Sequence, residues 1–161
     1  MTLNEYNKAV DHFADNLYRF ILKNCRNEEM AQDVVQDTFE KLWVKMDQVD
    51  GKKVKSYLFS AGYHTMLDII KKEKRLTALE QPHEKSYSHD EHYSDMAEVL
   101  QEALARLPEK QRSVIMLRDY EGYSYEEIGE ITGLNESQVK VYIYRGRISL
   151  KKYLVKIDHI L

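Results

Sequence analysis

Apolar residues recur along most of the chain at intervals of three and four, the spacing of one helix face. Val10, Phe13, Leu17, Phe20 and Ile21 predict a first helix beginning near Thr2, where Thr2 and Glu5 have capping-box spacing. Residues 24–27 read as a short turn, and Asn27 can cap the helix that follows. Met30, Val34, Phe39, Leu42 and Trp43 supply the apolar positions of that second helix, which is expected to run to about Met46 with Trp43 in the core. A loop is expected over 46–53, with Asp50-Gly51 as its turn signal. A third helix over roughly 54–75 is aromatic and apolar at first and basic at its end.

The periodicity lapses over 77–93, which is polar, acidic and contains Pro82, so it reads as a flexible linker. His89 and His92 stand three apart beside carboxylates there. With no further ligand cluster nearby they read as solvated histidines, and no metal site is assigned. Helices resume near Ser94, break at Leu107-Pro108 and continue over 109–120 to a stop near Glu121-Gly122. The chain holds only two prolines and six glycines, too few for a turn-rich β fold. The expected fold class is therefore all-α: two small helical domains, 1–76 and 94–161, joined by an acidic linker.

The stretch from Ser124 to Leu154 is the most specific. Ser124 and Glu127 have the spacing of a capping box, and Ile128 and Ile131 face inward on the helix it starts. Gly129 is small enough to let a second helix approach, and Gly133 can take the positive φ of a tight turn. Leu134 plugs that turn. Asn135 and Gln138 form a second reciprocal cap, and Val139 and Ile143 bury the new helix against the first. This order is the sequence form of a helix-turn-helix. The second helix leaves Ser137, Gln138, Lys140, Val141, Tyr144 and Arg145 outward, followed by Arg147, Lys151, Lys152 and Lys156. Polar groups at its start suit base edges, and cations further along suit phosphates.

Charge changes the picture. A net charge of −3 alone argues weakly against a nucleic-acid binder. Resolved by segment, 1–51 carries −4, 52–75 carries +5, 76–132 carries −8 and 133–161 carries +4. Two basic blocks are separated by acidic ones, a footprint that the average hides. Cys25 is the only cysteine, which excludes an internal disulfide and a cysteine zinc cage. No apolar run reaches about 18 residues and the N-terminus does not read as a signal peptide, so a cytoplasmic protein without membrane insertion is expected. No phosphate loop, nucleophile elbow or metal motif appears, so no enzyme activity and no cofactor are expected.

Two motif sets resemble one family. Ala105-Arg106-Leu107-Pro108-Glu109-Lys110-Gln111-Arg112, then Val114-Ile115-Met116-Leu117 and Tyr120-Glu121-Gly122-Tyr123-Ser124, lead into the helix-turn-helix as in region 4 of the sigma-70 family. Ala31-Gln32-Asp33-Val34-Val35-Gln36-Asp37-Thr38-Phe39-Glu40-Lys41-Leu42-Trp43 is similar to the polymerase-binding helix of that family's region 2. Val54-Lys55-Ser56-Tyr57-Leu58-Phe59 and Leu67-Asp68-Ile69-Ile70-Lys71-Lys72-Glu73-Lys74-Arg75 resemble the start and end of its promoter-melting helix. Two such domains without the family's other regions resemble the extracytoplasmic-function (ECF) group. The sequence departs at Tyr57, where the family often has tryptophan, and at His64, where it often has asparagine. It departs again at Asn135, at Ser137-Gln138, and at Tyr142, which replaces a frequent arginine and removes a cation.

The resemblance implies a sigma factor that binds core RNA polymerase, through the β′ clamp helices and the β flap, and promoter DNA. An anti-sigma protein is a candidate further partner. Asp33, Gln36, Asp37 and Glu40 are then the polymerase-binding candidates. Lys52, Lys53, Lys55, Tyr57, Tyr63, His64, Lys71, Lys72, Lys74 and Arg75 are candidates for the −10 element, with Phe59 assigned to the core and the loop at 46–53 expected to capture a flipped base. Ser137, Gln138, Lys140, Val141, Tyr144, Arg145, Arg147 and Lys151 are candidates for the −35 element, Arg145 and Arg147 as phosphate clamps. Two rivals stand beside this reading: a stand-alone DNA-binding regulator, and a helical module that sequesters a sigma factor without touching DNA.

Overall fold

The computed structural model describes residues 1–79 and 95–160 and divides the chain into two compact units, 1–87 and 88–161. Among the described residues all regular structure is helical.

The first unit is a bundle of α1 (Leu3–Cys25), α2 (Glu28–Val44) and α3 (Val54–Leu79), each packed on the other two. Thr2 accepts the Glu5 N–H at the start of α1, and Asn27 accepts the Met30 N–H at the start of α2. Between these helices Arg26 takes a left-handed φ of 54°, and its N–H closes on the Leu22 carbonyl. Leu17, Phe20, Ile21, Val34, Leu42, Leu58, Phe59 and Met66 are buried, with the Phe20 and Phe59 rings 5.3 Å apart. Each such side chain contributes roughly 1.5–3 kcal/mol on leaving water. The buried Asn24 and Thr38 side chains donate to the carbonyls of Phe20 and Val34, so neither is left unsatisfied.

Three expectations for this unit are corrected. Trp43 is half-exposed, at 51 %, and not core. Successive helical residues point roughly 100° apart, so Leu42 takes the inward position and Trp43 turns out over the edge of the Tyr6 ring, 5.2 Å away. The second helix stops at Val44, and 46–53 is two 3₁₀ turns, Met46–Gln48 and Gly51–Lys53, the second capped by Asp50. The third helix continues past Arg75 to Leu79, so 77–79 are helical, while the rest of the expected linker, His89 and His92 included, lies outside the described residues.

The second unit holds α4 (Asp95–Arg106), α5 (Glu109–Ile115), α6 (Tyr125–Thr132) and α7 (Glu136–Ile160). The long α7 packs against all three of the others. Leu104, Leu107 and Ile115 form one buried cluster, flanked by Leu100 and Leu150; Ile128, Ile131, Val139 and Ile143 are buried where α6 meets α7. The helix expected over 109–120 is α-helical only to Ile115. It ends in a π turn, Met116–Tyr120, closed by Glu121 N–H on the Met116 carbonyl.

Candidate nucleic-acid interface

Both reciprocal caps predicted for the helix-turn-helix are formed. Ser124 accepts the Glu127 N–H while Glu127 accepts the Ser124 N–H. At the start of α7, Asn135 accepts the Gln138 N–H at 2.8 Å and the Gln138 side-chain oxygen accepts the Asn135 N–H at 3.0 Å. Gly133 has φ +80°, and its N–H closes α6 on the Gly129 carbonyl. The role expected for Gly129 shifts in detail. A Cβ there would lie 2.8 Å from the Leu134 carbonyl oxygen, so the glycine makes room for the backbone of the turn itself.

The turn fixes which side of α7 faces out. Val139, Ile143 and Gly146 face the core. Ser137, Gln138, Lys140, Val141, Tyr144, Arg145, Arg147, Lys151 and Lys152 are all exposed, Tyr144 at 68 %. Several of these groups already have protein partners. Gln138 has its side-chain oxygen in the cap. Lys140 sits 3.2 Å from Glu136 and 5.6 Å from the centre of the Tyr125 ring. Arg147 makes two bonds to Asp119, Nη2 to Oδ1 at 2.6 Å and Nε to Oδ2 at 3.3 Å. That hydrogen bond raises the Arg147 pKa further. Its guanidinium is thus engaged by a carboxylate, which a phosphate contact of the kind expected for Arg147 would have to share or displace. Lys151, Lys152, Tyr153, Val155 and Lys156 line an open groove at the end of the helix.

On the first unit, Asp33, Gln36, Asp37 and Glu40 are exposed at positions i, i+3, i+4 and i+7 of α2, one acidic stripe. Trp43 and the 81 % exposed Val44 extend it toward the helix end. Lys52 and Lys53 are exposed on the second 3₁₀ turn, and Lys55 is half-buried with its ammonium 6.0 Å from the Phe59 ring centre. Tyr57 is half-buried, and desolvation pushes its phenol up. His64 is exposed against the edge of the Tyr63 ring. Tyr63 itself is 2 % exposed, so the expectation that it stacks on a base is corrected: its ring is spent on the bundle core. Phe59 is buried as expected. Lys71, Lys72, Lys74 and Arg75 are exposed along the far end of α3.

Sequence reasoning missed Asp119 and Tyr125. Both touch α7 through the tertiary fold, 28 and 15 positions away from their partners, and neither belongs to a local pattern that would announce it.

Comparison with known proteins adds to this geometry. The family described as sigma-70 region 2 matches residues 9–76, and that described as sigma-70, region 4 matches residues 97–150. RNA polymerase sigma factor SigV of Bacillus subtilis (strain 168) is 31% identical over 152 residues, covering 92% of this chain and 90% of the relative. The ECF RNA polymerase sigma factor SigM of the same organism is 24% identical over 94% of both chains. Among solved structures, sigma factor RpoE of Bartonella quintana, in complex with the anti-sigma factor NepR, shares the fold with a TM-score of 0.80 at 24% identity, over 94% of this chain and 98% of that one.

Proposed function

This chain belongs to the sigma-70 family of RNA polymerase sigma factors, in its ECF group, and from that premise we propose how its residues divide the work. It binds core RNA polymerase and directs promoter-specific initiation, with region 2 serving the −10 element and region 4 the −35 element. The proposed domain limits are 1–76 for region 2 and 94–161 for region 4. The acidic stripe of Asp33, Gln36, Asp37 and Glu40 is the proposed docking face for the β′ clamp helices, and region 4 the proposed contact for the β flap.

At the −10 element, Lys52 and Lys53 on the 3₁₀ turn before α3 stand beside the half-buried Tyr57 and the exposed His64 in its first half, a cation track with rings that suits unstacked bases. Lys71, Lys72, Lys74 and Arg75 suit duplex phosphates, a contact that weakens with salt. At the −35 element the exposed start of α7 reads base edges, with Arg145 and Lys151 as phosphate contacts. The protein has no chemistry of its own in this scheme and acts in the cytoplasm, where the polymerase is. Among the described residues no helix is long and apolar enough to cross a membrane. An anti-sigma protein, as in the RpoE–NepR complex, is proposed as a further partner.

The observation that carries this reading is the doubly capped turn that presents the exposed face of α7, on a chain whose other unit presents an acidic stripe of its own. Run-off transcription with purified core polymerase on a genomic library tests it. Initiation at a defined promoter set is expected. DNA binding without initiation would mark a stand-alone regulator, and absence of both would mark a sequestering module.

A further inference from the structure

Asp119 of the π turn reaches the flank of α7 directly, and its neighbour Arg118 meets a ring that the same flank also touches. Asp119 holds Arg147 by the two bonds described above, and both side chains are partly withdrawn from water, at 39 % and 50 % exposed. Arg118 lies 4.5 Å from the Tyr125 ring centre and donates to the Tyr123 carbonyl at 2.8 Å; that same Tyr125 ring also receives Lys140 of α7. Lys140 and Arg147 are seven residues apart, two turns of helix, so they share one face roughly 10 Å apart along the axis. The flank is thus held directly by Asp119 and met two turns earlier by the Tyr125 ring, and a tether that lies off the helix axis resists rotation about it. Residues 118 and 119 lie within a turn closed by i→i+5 bonding, which shifts the phase of the residues that follow an α-helix.

We propose that this π turn sets the rotation of the recognition helix, with Asp119 as its positioning residue. The Lys140–Arg147 flank is then the one engaged by groups of the protein itself. The side opposite the buried Val139, Ile143 and Gly146 carries Ser137, Val141, Tyr144 and Ile148, a hydroxyl, a phenol and two aliphatic side chains, and this is the face turned to the −35 base edges. The inference rests on the assignment of α7 to the −35 element.

The test uses holoenzyme assembled from the full chain and selects −35 sequences from a randomised promoter library. Salt dependence is then measured on the duplex that the wild type selects. Asp119→Asn and Arg147→Ala should each weaken binding about tenfold and broaden the selected sequence, and the double variant should be no worse than either single one. Arg147→Ala should leave the salt slope unchanged, because no phosphate contact is lost. The exchange Asp119→Arg with Arg147→Asp should recover most of the affinity, and this arm also separates positioning from loss of fold. A salt slope reduced by about one in Arg147→Ala, with tighter binding by Asp119→Asn, would make Arg147 a phosphate contact that Asp119 restrains, and would overturn the proposal. Wild-type selection and affinity in all variants would overturn it too. If the wild-type holoenzyme selects no −35 sequence, the assignment of α7 to that element fails, an outcome distinct from loss of the tether alone.

Discussion

α3 and α7 are written in similar letters and used in opposite ways. They are 26 and 25 residues long, and each combines tyrosines with a run of cations in its second half. In α3 the packing of two helices consumes two of the aromatics: Phe59 is fully buried and Tyr63 nearly so. In α7 the core takes Val139 and Ile143, and Tyr144 is left in solvent. An aromatic residue near cations is therefore no signature of stacking by itself. Whether it is available depends on which face of the helix carries it: Phe59 and Tyr63 stand on the side of α3 packed in the bundle, and Tyr144 on the side of α7 opposite Val139 and Ile143.

The largest test of this contrast is a pair of truncations. Tyr63→Ala should cost the first unit about 3–5 kcal/mol, the usual penalty for emptying a large core site. Tyr144→Ala should stay within about 0.5 kcal/mol in stability and alter the selected −35 sequence. Denaturant unfolding and promoter selection on both variants supply the comparison. Equal stability losses would erase the distinction between the two helices.

Next in size is the turn that orients α7. Gly133→Ala places a Cβ in the left-handed region at a cost of about 1–2 kcal/mol, with nothing nearby for the new methyl to strike. Gly129→Ala forces the Leu134 carbonyl to move. Both should lower the melting temperature of the second unit, and the second should disturb −35 recognition more, because the displaced backbone leads directly into Asn135. Equal disturbance by the two would mean that the turn's φ matters more than its packing.

The local grammar of these helices was readable from sequence. The caps at Thr2, Asn27, Ser124 and Asn135, and the apolar positions of α6 and α7, depend on residues three or four apart, and that range is what periodicity reports. Trp43 and Tyr63 lie elsewhere than expected, and the partner of Arg147 was hidden, for one shared reason. Each depends on a partner or a neighbouring helix far along the chain: Trp43 on Tyr6, Tyr63 on the packing of α1 and α2, Arg147 on Asp119. The π turn was equally hidden, since 109–120 reads as one continuous helix and nothing local marks the change of hydrogen bonding at Met116.

A smaller effect on stability, with a large one on assembly, is expected on α2. Reversing Asp33 and Asp37 to lysine inverts two charges on an exposed stripe, so stability should shift by no more than about 0.5 kcal/mol per site. Affinity for core polymerase, measured by competition with another sigma factor, should fall well beyond that, because charge reversal at an interface sets like charges together. Undiminished affinity would move the docking face off this stripe.

The smallest effects belong to the basic ends, and there α3 and α7 should behave alike. Lys72 and Lys152 are both exposed, each beyond the part of its helix that packs deepest. An exposed lysine that meets a phosphate contributes through counterion release, a term indifferent to base sequence. Lys72→Ala and Lys152→Ala should each reduce the salt slope of promoter binding by about one, leave the selected sequence unchanged and leave stability unchanged. Arg147→Ala is the internal contrast, since its cation is already held by Asp119 and its loss should move the selected sequence without moving the slope. If Lys152→Ala changes which −35 sequences are chosen, the reading face extends further along α7 than Ile148. If neither lysine alters the slope, the basic ends are solvated helix faces, and the charge blocks of the sequence have no part in holding the promoter.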